Sequence, residues 1–165
     1  MLSKILISRL IKKEGAPLSR HHNPDSLTHL MHHLLKMHRR TIDQMISSYD
    51  VYPGQPPLLL ALSAEDGLSQ KELAERIHNK PATLTVMVDC MEKTGLVERR
   101  PDPTDQRVTR VYLTDKGREV TVHVKEAIKA TDEQTFSHFL PEELLLFRRL
   151  LLQMKDNLRP NDSQN

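Results

Sequence analysis

The chain has 165 residues, 28% of them charged and 38% hydrophobic, and a formal net charge of +2. That balance excludes a disordered chain and leaves room for one domain or two interlocked subdomains; the small charge excess says little about partners, so the placement of charge must carry that argument. A single cysteine, Cys90, rules out an internal disulfide framework and points to the cytoplasm, and no apolar run approaches the roughly 18 residues needed to span a bilayer.

From Met1 to Lys13, Leu2, Ile5, Leu6, Ile7, Leu10 and Ile11 are interrupted by Lys4, Ser8 and Arg9. That is helical amphipathicity rather than a signal peptide, and it predicts an N-terminal extension (1–24) whose helix packs on the body of the protein. Gly15-Ala16-Pro17 and His22-Asn23-Pro24 end it. Asp25 or Ser26 then caps a long helix to about Ser48, with Leu27, Leu30, Met31, Leu34, Leu35 and Ile42 at spacings of three and four. Tyr52 to Pro57 is a turn, and its prolines suit the first turn of a short helix ending at Asp66-Gly67, with Gly67 at C′.

Ser69-Gln70-Lys71-Glu72 is a capping box. The helix it opens buries Leu73, Ala74 and Ile77. Pro81 opens another that buries Leu84, Met87, Val88 and Met91 and ends at Thr94-Gly95. Two short helices joined by about four residues make a helix-turn-helix. Leu96 to Arg100 and Arg107 to Leu113 flank a loop rich in turn residues, so a β-hairpin follows. Thr114, with Asp115 behind it, caps a second long helix, and Pro141-Glu142-Glu143 starts a last one. That helix is apolar on more than one face, which suits a subunit interface. The fold class is mainly α with a small β-hairpin wing: a winged helix-turn-helix over 51–115 and a helical dimerisation region from 25–50 and 116–160.

A helix can enter the major groove and present side chains to base edges, chiefly from its N-terminal half. With one face of the Pro81 helix buried, Lys80, Thr83, Thr85 and Val86 fall near or on the other. Ser69 and Gln70, at the preceding helix N-terminus, can meet a phosphate. The hairpin supplies positive charge through Arg99, Arg100, Arg107 and Arg110. An arginine at a loop tip can enter a narrow minor groove, and Asp105, two residues before Arg107, can fix the direction of its fork. The predicted DNA-contacting set is Ser69, Gln70, Lys80, Thr83, Thr85, Val86, Arg100, Asp105, Arg107 and Arg110.

From about Leu27 to Leu158 the sequence resembles the MarR family (multiple antibiotic resistance regulators). Gly95-Leu-Val-Glu-Arg-Arg-Pro-Asp-Pro-Thr-Asp-Gln-Arg-Val and Val111-Tyr-Leu-Thr-Asp-Lys-Gly117 look like that family's wing and the helix after it, with Asp105 and Arg107 on its Asp-x-Arg motif. Leu68 to Ile77 looks like its first helix-turn-helix helix. The resemblance implies an obligate homodimer, a pseudopalindromic double-stranded operator, and repression released by a small molecule at the junction of the dimerisation and DNA-binding parts. Thr85 matches a position often held by threonine in the family, while Val86 stands where a basic residue is common.

Other readings compete. His29, His32, His33 and His38 crowd the first long helix, and the four-residue spacing of His29 and His33 can chelate a transition metal, with His21, His22 and Asp25 nearby. That makes a metal-responsive regulator of the same fold the alternative; otherwise no metal or cofactor is expected. A winged helix that binds protein instead of DNA is another alternative, opposed by the arginine-rich wing. Cys90, between Asp89 and Glu92, reads as a passive thiol. No phosphate-binding glycine loop, nucleophile elbow or His-Glu-x-x-His motif is present, so no enzyme is expected.

Overall fold

The computed structural model describes residues 26–159. The predicted helix within 1–24, the metal candidates His21 and His22, the alternative cap Asp25 and the tail from Pro160 lie outside the described residues.

Helix α1 (Leu27–Met45) starts where the Ser26 hydroxyl accepts the His29 amide at 3.1 Å. It ends before the expected Ser48: a 3₁₀ turn over Ser47–Tyr49 follows, and Asp50 takes a left-handed φ of 58°. Helix α2 (Pro56–Ala64) opens on two prolines, where no amide donor is required, and buries Leu58, Leu59 and Leu62. Gly67 does not cap it. At φ 75° it leads into a short strand, β1 (Leu68–Ser69), and its amide donates to the Val111 carbonyl at 3.1 Å. A Cβ there would lie 2.6 Å from the Tyr112 ring, so the close approach of the neighbouring strand requires glycine.

Helices α3 (Gln70–Arg76) and α4 (Pro81–Lys93) form the expected helix-turn-helix. Gly95 (φ 72°) ends α4 with paired bonds, Leu96 N–H to Met91 O at 2.9 Å and Gly95 N–H to Glu92 O at 3.0 Å. The hairpin is β2 (Val97–Pro101) and β3 (Thr109–Leu113), with Val97 opposite Leu113 and Pro101 opposite Thr109. It gains a strand not foreseen from the sequence: β1 pairs antiparallel with the other edge of β3, giving the order β1-β3-β2.

The 21-residue α5 (Asp115–Thr135) is capped by Thr114, whose hydroxyl accepts the Gly117 amide at 2.9 Å and donates to Gly95 O at 2.6 Å. Gly117 lets the helix rest on the wing's base, where a Cβ would meet the Leu96 carbonyl oxygen at 1.9 Å. Last comes α6 (Pro141–Asn157), whose Glu143 carboxylate accepts the Leu140 amide at 3.0 Å.

The core lies in the winged half. Leu58, Leu73, Leu84, Val88, Val111 and Val124 are fully buried and join α2, α3, α4, the sheet and α5, while Ile77 and Met87 are only partly covered. In contrast α1 buries only Ile42, and α6 buries none of its residues. Among the described residues no helix is long and apolar enough to cross a membrane.

Candidate nucleic-acid interface

The helix-turn-helix is fixed by its own backbone. The turn from α3 to α4 closes through His78 N–H to Glu75 O at 3.2 Å and Asn79 N–H to Ala74 O at 2.8 Å, with His78 in the left-handed region at φ 52°. At the head of α3, Ser69 and Glu72 bond reciprocally: the Ser69 amide donates to the Glu72 carboxylate at 2.7 Å, and the Ser69 hydroxyl accepts the Glu72 amide at 3.3 Å. The Ser69 amide, followed by its hydroxyl, holds the Glu72 carboxyl below the usual carboxylate range. Gln70 reaches across to α4, where its side-chain oxygen and the Pro81 carbonyl share the Thr85 hydroxyl proton, both at 3.1 Å. Lys80, Thr83, Thr85 and Val86 all lie on the exposed face, as their spacing predicts.

The wing's four arginines divide into two kinds. Arg99 donates to Asp89 and Glu92 of α4, each at 2.5 Å, which ties β2 to the recognition helix. Arg110 is two-thirds covered; it donates to Asp102, to the Gly67 carbonyl at 2.8 Å, and approaches Glu72 at 3.8 Å. Arg100 is exposed at the strand end, paired with Glu98, its guanidinium 4.8 Å from the Tyr112 ring centre. Arg107 stands at the loop tip with 91% of its side chain exposed. Asp105 aims it: one carboxylate oxygen accepts Arg107 Nε at 3.1 Å and its backbone amide at 3.0 Å, and the other faces Nη2 at 3.4 Å.

Sequence reasoning missed the residue that shapes this loop. Asp102 is buried, and one carboxylate oxygen gathers the Thr104 amide at 2.7 Å, the Thr104 hydroxyl at 2.6 Å and the Asp105 amide at 3.0 Å. The other takes Arg110. Foremost the Thr104 hydroxyl, then its amide, then Arg110, hold the Asp102 carboxyl far below the usual carboxylate range. The cue was an acid between two prolines, two residues ahead of a threonine, which is how an aspartate organises a turn.

A self-braced wing with an exposed arginine beside an exposed helix face has the charge and shape that duplex DNA recognition uses. The MarR family model matches residues 52–109, the segment that builds this surface. The repressor MdtR of Bacillus subtilis is 30% identical over 115 residues, covering 70% of this chain and 74% of that protein. This protein belongs to the MarR family.

Solved structures of MarR proteins share its architecture. A MarR-like regulator from Bacillus cereus superposes with a TM-score of 0.73 at 28% identity, covering 81% of this chain and 96% of that one. PcaV of Streptomyces coelicolor, solved in complex with its natural ligand, gives 0.70 at 26% identity, covering 88% and 99%. As a MarR protein, the chain is a DNA-binding transcriptional regulator with a winged helix-turn-helix.

Where the winged core of this MarR fold meets α1 and α5 there is a cavity of about 470 Å³. Leu35 and Ile42 of α1, Leu60 of α2, Ile77 of the helix-turn-helix and Ile128 of α5 wall it, and His38, Arg39, Asp43 and Asn79 supply polar groups. Burial pushes the Asp43 carboxyl above its ordinary value, against the pull of Arg39. His29 and His33 lie exposed on α1, and among the described residues no three His, Cys, Asp or Glu side chains gather as a metal ion requires.

Proposed function

We propose that the protein is a repressor that binds a pseudopalindromic operator as a homodimer and lets go when a small apolar or aromatic molecule enters the α1–α2–α5 cavity. It acts in the cytoplasm, and residues 51–115 form its DNA-binding unit, with 25–50 and 116–160 as its dimerisation region. The observation that carries the DNA-binding part is Arg107: almost fully exposed at the wing tip, yet held in direction by Asp105. A flexible cation would sacrifice entropy on reaching a narrow minor groove, and the brace reduces that cost.

The rest of the contact set divides by role. α4 enters the major groove with Lys80, Thr83, Thr85 and Val86, while Ser69 and Gln70 meet the backbone at the head of α3. Arg100 adds a phosphate contact. Arg110 acts on DNA indirectly, by holding the wing's base against Gly67. Dimerisation is supported by the apolar faces of α1 and α6, with Leu27, Leu35 and Leu145 each more than 60% exposed in the single chain. The cavity supports the effector, because its walls come from both the outer helices and the helix-turn-helix.

The test uses an operator enriched by the full-length protein from random duplexes. Arg107→Ala should weaken binding by about 10- to 100-fold at fixed salt in fluorescence anisotropy, with a dimer still seen by light scattering. Unchanged affinity would falsify the wing's role.

A further inference from the structure

The outward face of α4 limits what it can recognise. Reading guanine takes a two-pronged cation, adenine an asparagine or glutamine amide, and cytosine a free carboxylate, whereas thymine alone offers a methyl group. Between Lys80 at the N-cap and Lys93 in the last turn the helix carries no cation, and neither lysine has the two-pronged guanidinium. Its acids, Asp89 and Glu92, are taken by Arg99. The one amide at hand, Gln70, has its oxygen engaged by Thr85. Thr85 in turn has its hydroxyl proton committed to Gln70 and to the Pro81 carbonyl, so it offers a base only an acceptor oxygen and its methyl.

Val86 completes the pattern. At 69% exposure it is, among the described residues from 65 to 115, the large apolar side chain left open to water. The packing of α4 on α3 and β2 does not use it, and the apolar faces that suit a second copy lie on other helices, α1 and α6. A β-branched side chain stiff at χ1 meets a partner with little loss of rotamer freedom.

We propose that α4 reads its operator through thymine C5-methyl groups, with Val86 as the specificity-determining residue and the Thr85 methyl beside it, so that each half-site carries an A·T pair with its thymine against Val86. This deepens the DNA-binding reading of the α4 face and rests on it. Specificity then comes from apolar contact and shape, and the phosphate and minor-groove contacts supply most of the affinity.

The test separates the two. Full-length protein selects from random duplexes of about 30 base pairs, long enough for two half-sites one helical turn apart. The enriched duplex is then remade with deoxyuridine in place of each thymine in turn, which deletes one methyl and leaves the base pair intact. At one position per half-site the replacement should weaken wild-type binding about four-fold, and about fifteen-fold when both half-sites are changed, from the burial of one methyl each. In Val86→Ala the same replacement should cost less than about two-fold, and Val86→Thr, which keeps a methyl, should retain the sensitivity. Uracil tolerated at every position by the wild type, or penalised equally in Val86→Ala, overturns the proposal while leaving DNA binding intact. Failure to retain any duplex even at low salt overturns the underlying reading, and this one with it.

Discussion

Helices α4 and α6 both open on a proline, and α6 is the richer in leucine, yet their fates differ. α4 buries Leu84, Val88 and Met91 completely, and α6 buries nothing. Composition does not separate them; what lies opposite does. α4 faces α3 and β2 of its own chain, whereas the apolar side chains of α6 face solvent in a single copy. The winged half closes on itself, and the outer half leaves its apolar side chains uncovered in a single copy, as the proposed association requires.

This contrast can be broken at its strongest point. Gly117→Ala drives a Cβ to within 1.9 Å of the Leu96 carbonyl, where α5 rests on the winged half. Backbone cannot yield as a side chain would, so stability should fall by about 3 kcal/mol or more, read as a lost or greatly lowered thermal transition. A near-normal transition would mean that α5 can slide off the wing's base. The outer half should respond differently. Leu145→Glu with Leu151→Glu should loosen association about 100-fold by placing unpaired charge in the proposed interface, giving a monomer in sedimentation at micromolar concentration. The monomer should keep a cooperative unfolding transition of its winged core; losing that transition would sink the idea that this half stands alone.

The smallest expected effect lies within the winged half. Asp102 keeps its charge in the fold to lower pH than in the unfolded chain, where an aspartate titrates near pH 3.9. Between those two values the unfolded state binds more protons, so this contribution is complete above about pH 5 and drains away as pH falls below about 4. Asp102→Asn should lower the urea midpoint at pH 7 slightly and flatten its decline into acid. An acid decline as steep as wild type would assign that loss to other carboxylates.

Local chemistry was legible in the sequence, and long-range pairing was not. The capping box of Ser69 and Glu72, Pro81 at the head of α4 and the Thr114 cap all follow from spacings of a few residues. Strand β1 escaped notice because two residues carry no periodicity; only its pairing with β3 makes it a strand. Gly67 looked like a helix end for the same reason, as its requirement comes from Tyr112, far along the chain. The candidate site shows the limit most clearly. Four wing arginines are alike on paper, but Arg110 meets a carbonyl 43 residues away and Arg99 meets α4, while Arg107 faces only its neighbour Asp105. Which cation is spare depends on contacts that sequence spacing does not encode.

One feature of α5 bears on how the two halves communicate. The helix runs unbroken from Thr114, locked to Gly95 at the wing's base, to Asp132, bonded to His38 of α1 at 3.0 Å. Its 21 residues make a rod about 31 Å long at 1.5 Å per residue. Pivoting such a rod by about 10° at its α1 end carries the other end roughly 5 Å. In the proposed homodimer, two α4 helices set for grooves about 34 Å apart could not absorb that displacement in each arm. On the proposed mechanism a ligand need change only an angle, and the length of the lever would turn it into a mismatch of register with the double helix.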